Sequence, residues 1–180
     1  MKLKGVQAQP WSTVYLQIDL KNATITFEDG TGTPNTLDIT IGEGNLVWTE
    51  ARNIEYVLDR GLLDEVREGD QIPVELTIDI LWEFLTAVVS TAGIPSPEDF
   101  LKKRGNASGF ISSDADVCRP YAIDIIVLHD PPCGGIEKET ITFSDFRYDS
   151  IPHDLRAGTF VVSGSCNITE PTVVRSANPT

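Results

Sequence analysis

Apolar and polar residues alternate with period two over much of the chain, the mark of strands with one buried and one wet face. Val14, Leu16, Ile18 and Leu20 alternate with Tyr15, Gln17 and Asp19. After a Lys21-Asn22 turn, Ile25 and Phe27 alternate with Thr24 and Thr26, which predicts a hairpin. A Gly/Thr/Pro/Asn loop from Asp29 to Thr36 precedes a strand carrying Leu37, Ile39 and Ile41. The clearest alternation runs from Ile72 to Trp82, with Ile72, Val74, Leu76, Ile78 and Ile80 on one side and Glu75, Thr77 and Asp79 on the other. Residues 121–128 are nearly continuously apolar, which predicts a central strand covered on both faces. Ile141 and Phe143 mark a short strand, and residues 159–168 a long final one.

One helix is signalled. Ser96 caps it, Pro97 suits its first position, Glu98 and Asp99 face its positive end, and Lys102, Lys103 and Arg104 face its negative end before Gly105. The segment from Gly42 to Gln71 carries two signals. Ile54, Val57, Leu58 and Leu62 have helical spacing, while Leu58-Asp59-Arg60-Gly61-Leu62 reads as the tip of a hairpin, which is the reading favoured here. The expected fold is mainly β: a β-sandwich or partly closed barrel of about seven strands, with one short flanking helix and a long hairpin or loop over 42–71. We expect one domain over 1–180, with 170–180 as a loose tail.

Charge narrows the function classes. With 27 acidic against 14 basic residues the net charge is −13, and a surface that grips phosphate backbones needs clustered cations instead. Tight nucleic-acid binding is disfavoured, although an acidic wall lets DNA slide past. Apolar content of 41% and charged content of 23% fit a folded globular chain. No apolar run reaches the ~20 residues of a spanning helix, and no signal-peptide pattern follows Met1, so synthesis in a cytoplasm is expected. Residues 42–71 hold eight acidic and three basic residues around Trp48 and Tyr56, a mixture suited to docking on protein.

Catalytic signals are sparse. His129-Asp130 and His153-Asp154 put acid/base residue types side by side in sequence, which does not bring their side chains together. No nucleophile elbow, zinc-protease helix or phosphate-binding glycine loop is present. Cys118, Cys133 and Cys166 lack C-x-x-C spacing and read as reduced thiols. His129 and Cys133 form a weak metal alternative. A zinc site that also used Cys118 would have to bridge a strand of roughly 25 Å. Asp114 and Asp116 lack the further ligands of a calcium loop and read as a turn. No enzyme activity and no cofactor are expected.

Three stretches resemble the tail tube (major tail) proteins of tailed bacteriophages. The first is Gly42-Glu43-Gly44-Asn45-Leu46-Val47-Trp48-Thr49-Glu50, continuing through Leu58-Asp59-Arg60-Gly61 and Val66-Arg67-Glu68-Gly69-Asp70 into the strand ending at Trp82. The second is Thr140-Ile141-Thr142-Phe143-Ser144-Asp145-Phe146-Arg147. The third is Leu155-Arg156-Ala157-Gly158-Thr159-Phe160-Val161-Val162-Ser163-Gly164. The resemblance implies a sandwich with a flanking helix whose copies form hexameric rings, stacked into a tube that delivers the genome. It also implies a virion location after assembly in the host cytoplasm. The implied partners are other copies, the tape measure protein and the tail terminator, with DNA passing through untethered and no membrane insertion. On that pattern 42–71 reaches a neighbouring subunit or ring through Trp48, Arg52, Tyr56, Asp59, Arg60, Gly61 and Arg67.

Combining the alternation with this resemblance, Glu75 and Asp79 would line the lumen if the opposite face of their strand meets the core. Rival readings are a tail terminator, a head-tail joining protein or a contractile secretion tube subunit. From another class, a ligand- or carbohydrate-binding sandwich remains open, although Trp11, Trp48 and Trp82 are widely dispersed for one binding face.

Overall fold

The computed structural model describes residues 23–39, 46–81, 93–129, 137–154 and 156–177. Eleven strands lie among them: β1 (Ala23–Glu28), β2 (Thr36–Ile39), β3 (Leu46–Thr49), β4 (Ile54–Asp59), β5 (Leu62–Glu68), β6 (Glu75–Leu81), β7 (Ile123–His129), β8 (Glu137–Ser150), β9 (His153–Asp154), β10 (Thr159–Ser165) and β11 (Thr172–Ala177). The helix α1 (Pro97–Lys102) stands between β6 and β7. The chain is mainly β, as its alternation predicts. Nine strands form one antiparallel sheet in the order β2-β1-β7-β8-β10-β6-β3, with β11 on β8 and β9 on β10. Its end strands β2 and β3 do not join among the described residues, so no closed barrel forms there. β4 and β5 make a separate two-stranded sheet.

The strand β8 organises this arrangement. Its first part pairs with β7 and β11, its last part with β10, so one strand serves both halves of the sheet. Between them the register with β7 shifts, and Asp145 takes a left-handed conformation at φ 55°. In a regular ladder, Phe143 and Phe146 would point to opposite faces. The bulge places both in the core. It stays hydrogen-bonded because the Asp145 N–H donates to Asp124 Oδ1 at 2.9 Å. Across from it, Gly164 on β10 is where the two strands approach most tightly: a Cβ there would overlap the Arg147 carbonyl and the Phe146 ring.

Both halves bury one face in a common core that includes Ile25 and Phe27 of β1, Ile78 and Ile80 of β6, Ile125 of β7 and Phe160 and Val162 of β10. The helix closes one side. Its Ser96 side chain accepts from the Asp99 N–H, Pro97 occupies the first turn, and Phe100 packs against Phe27 and Phe110 with centroids 5.9 and 5.0 Å away.

Several expectations are corrected. The tail expected to be loose over 170–180 contains β11, which pairs with β8 from Thr172↔Thr142 to Ala177↔Glu137; its adjacent Val173 and Val174 hide the alternation. The strand around Ile141 and Phe143 is part of the 14-residue β8. β7 is central, but its second face is only partly covered, with Leu128 exposed. Ile72 and Val74 precede β6, and Val74 is instead tied to β10's extension through Cys166 N–H to Val74 O and Val74 N–H to Ile168 O. The expected strand over Val14–Leu20, the Lys21-Asn22 turn, Ile41, Trp11 and Trp82 lie outside the described residues.

Substituting Gly164→Ala should cost about 3 kcal/mol, because backbone and a buried ring would have to move. Gly32→Ala, at an open position, should leave stability within about 0.5 kcal/mol. Urea unfolding of the two variants checks the contrast.

Candidate assembly surfaces

The hairpin β4–β5 turns at Arg60 and Gly61, both with positive φ (50° and 84°), the mirror-image turn that suits strand twist. Its register puts Ile54 opposite Glu68, Tyr56 opposite Val66, and Leu58 opposite Leu63. A bulge between Val57 and Leu58 on one side takes up Asp64 on the other. Leu63 and Val66, three residues apart, therefore share a face instead of opposing each other. The outcome is an apolar face of Ile54, Tyr56, Leu58, Leu63 and Val66. None is covered by the rest of the described chain, their exposures running from 46% to 63%.

The second face is charged. It carries Glu55 opposite Arg67, Val57 opposite Glu65, and Asp59 opposite Leu62, the last being 75% exposed. Arg67 pairs with Glu65 at 2.7 Å and Arg52 with Glu68 at 3.1 Å. These pairs are solvent-exposed and add little stability of their own. An uncovered apolar sheet face beside a carboxylate-rich one is the composition of a docking element, since free monomers rarely leave such a patch in water.

Of the contact residues expected from sequence, Tyr56 lies on the apolar face. Arg67 lies on the charged one, and Asp59, Arg60 and Gly61 lie at or beside the tip. Arg52 is at the root, paired with Glu68. Trp48 belongs elsewhere: it sits on β3, edge-on to Phe143 with centroids 5.5 Å apart, and its Nε1–H donates to Glu50 Oε1. Sequence reasoning missed Ile54, Leu58, Leu63 and Val66. A bulged hairpin read as ideal alternation splits these residues between faces.

The second surface is the outer face of the β3-β6-β10 part of the sheet. Leu76, Ile78 and Ile80 are buried, so Glu75, Thr77 and Asp79 point the other way. Glu75 is exposed and Asp79 half-buried, with Val161 opposite it on β10. Thr77 and Ser163 hydroxyls stand 3.2 Å apart, and Ser165 donates to Asp149. None of β3, β6 and β10 contains Lys or Arg, so the charge these strands put on this face is anionic, set beside Val47 and Val161.

A third surface is the loop 108–122 leading into β7. Asp114 is its anchor: its carboxylate accepts from the Asp116 N–H, from Arg147 Nη2 at 2.6 Å and from Arg119 Nη1 at 3.2 Å. The Asp116 N–H and the Arg147 guanidinium hold its pKa down to about 2. Arg147 also donates to the Pro120 carbonyl, and Ser113 Oγ to Asp145. The two aspartates of the expected turn thus form ion pairs. At the β1–β2 loop, burial alone would raise Asp29, but hydrogen bonds from Thr31, Asn35 and the Ile111 N–H outweigh it and lower its pKa. Deeper in, burial raises Asp124, and burial with the nearby Asp124 and Asp145 carboxylates pushes the Cys166 thiol up to about 12, which keeps it protonated and unreactive.

The weak metal alternative is half visible. His129 is buried at the end of β7, while Cys133 lies outside the described residues. No group of three His, Cys, Asp or Glu side chains suited to a metal ion occurs among the described residues. No described helix is long and apolar enough to cross a membrane. Cys118 is exposed in the loop.

No family model matches the chain, and no curated protein matches it in sequence. Among solved structures, a chain in the cryo-EM structure of the anti-feeding prophage baseplate, 6-fold symmetrised, is similar at 11% identity and a TM-score of 0.40. The match covers 85% of this chain and 92% of that one. So loose a likeness has no bearing on function.

The Asp114 anchor should show in acid. Its folded pKa lies below the ordinary 3.8, so its stabilisation is complete above pH ~4 and is lost as pH falls toward 2. The stability difference between wild type and Asp114→Asn, read from urea unfolding at stepped pH, should be constant from pH 5 to 7. It should shrink steeply as pH falls toward 2 and vanish only below that, once Asp114 is protonated in the folded state as well.

Proposed function

We infer that this chain is a self-assembling structural subunit, and specifically a phage tail tube protein whose copies form stacked rings around a channel for DNA. The observation that carries the first part is the hairpin face of Ile54, Tyr56, Leu58, Leu63 and Val66, apolar, preformed and uncovered within the described chain. Its burial requires another surface. The sheet ends β2 and β3, whose outer edges have no partner strand among the described residues, support the same reading, since unpaired strand edges invite pairing with further copies. The step to a tail tube rests on the resemblance of the three sequence stretches and on the anionic face bearing Glu75 and Asp79. Carboxylates lining a channel repel phosphates and keep DNA mobile. The role needs no reaction chemistry and no cofactor; the tape measure protein and tail terminator enter as partners only through the resemblance.

Electron microscopy of the purified protein tests the reading. Long hollow tubes are expected; single rings would favour a terminator or joining protein, and a persistent monomer would sink self-assembly. In a map of the tube Glu75 and Asp79 should face the channel, and their burial in a subunit contact would exclude the lumen role. Tyr56→Ser with Leu63→Ser should leave the unfolding midpoint nearly unchanged, because both side chains are exposed, yet abolish tubes at concentrations where wild type assembles.

A further inference from the structure

The loop 108–122 and the end of α1 frame a cleft of about 420 Å³ whose lining includes Lys103, Ile111, Val117, Arg119 and Tyr121. Its character is the reverse of the hairpin's. Val117 is 94% and Ile111 54% exposed, so the rim is apolar without cover. Asp114 and Asp116 also line it, but both are paired with Arg119 and Asp114 also with Arg147. Lys103 is exposed, its ammonium 5.5 Å above the Tyr121 ring, and it forms no ion pair among the described residues. The cleft therefore offers a cation held over an aromatic ring beside exposed apolar side chains.

The hairpin tip offers the complement: Leu62, with Asp59 and Asp64 next to it, neither carboxylate in an ion pair among the described residues, and with the single cation Arg60 in the turn itself. Glu75 stands opposite Ser165, Ser165 opposite Arg147, and Phe146 opposite Ile123. The starts of β6 and β7 therefore lie at one level across β10 and β8, and the two strands run away from it in opposite directions. A seven-residue strand extends roughly 23 Å.

We propose that the hairpin tip of one copy docks in the Lys103–Val117–Tyr121 cleft of the next. Leu62 meets Val117 and Ile111, and Asp59 and Asp64 meet Lys103. The proposal rests on the self-assembly reading and adds a second contact to it, made by the tip and the charged face and leaving the apolar face for another surface. Tip and cleft are different patches, so the contact is heterologous: each copy gives a hairpin and receives one, and repetition closes a ring or extends a filament. Complementary charge selects the partner and the register.

Cys118, exposed beside Val117, makes the contact testable with the full chain. In a Cys133→Ser background, Leu62→Cys should cross-link to Cys118 under mild oxidation and give a ladder of dimers, trimers and higher species on a non-reducing gel. Cys118→Ser should abolish the ladder. Separately, Lys103→Glu should raise the protein concentration needed for assembly about tenfold, and Asp59→Lys with Asp64→Lys in the same chain should restore it. Wild type that assembles while the 62–118 pair gives no cross-link overturns this interface and leaves self-assembly standing. A ladder that stops at dimers overturns the heterologous contact. Wild type that stays monomeric and never cross-links removes both.

Discussion

Everything in this structure hangs on the bend of one strand. β8 is bonded to β7 and β11 along its first part and to β10 along its last, so the two halves of the sheet meet over a common core only because it changes direction at Asp145. Three local choices permit that. The left-handed Asp145 absorbs the extra residue, Asp124 satisfies its N–H, and Gly164 lets β10 lie against the Arg147 carbonyl. Arg147, just past the bend, then reaches Asp114 and Pro120 and fixes the loop that frames the cleft. Core geometry and surface geometry are thus mechanically one system.

The same bulge device appears twice with opposite results. In β8 it turns Phe143 and Phe146 inward together, and in the hairpin it turns Leu63 and Val66 outward together. Adding a residue to a ladder costs regularity but lets apolar side chains three apart share a face. One instance builds a core and the other an exposed apolar face, distinguished only by what lies across from it.

Legibility in the sequence follows from this. The β6 strand, the helix with its Ser96 cap, and the hairpin tip at Arg60-Gly61 were readable, because each obeys a local rule of period, capping or turn chemistry. The full length of β8 was not, since its bulge breaks period two midway. β11 was not, since Val173-Val174 masks its alternation and an edge strand needs only one protected side. The candidate surfaces divide similarly. The outward direction of Glu75 and Asp79 is fixed by alternation with Leu76, Ile78 and Ile80. The apolar hairpin face was hidden: the trace the bulged ladder leaves is the spacing of three between Leu63 and Val66, while the helical spacing of Ile54, Val57, Leu58 and Leu62 mixes residues of both faces. The cleft joins residues near 103 and 111–121 whose proximity no local rule contains.

The hairpin has a temporal consequence as well. Its strands are joined by a two-residue turn, whereas β1 must find β7, and β6 must find β10, across most of a hundred residues of chain. Local hairpins form in about 1–10 μs, and distant antiparallel pairings are orders of magnitude slower. A nascent chain therefore samples its sticky element before the body that should carry it exists. Its many carboxylates keep those early chains apart through mutual repulsion, so the acidity guards the folding route itself.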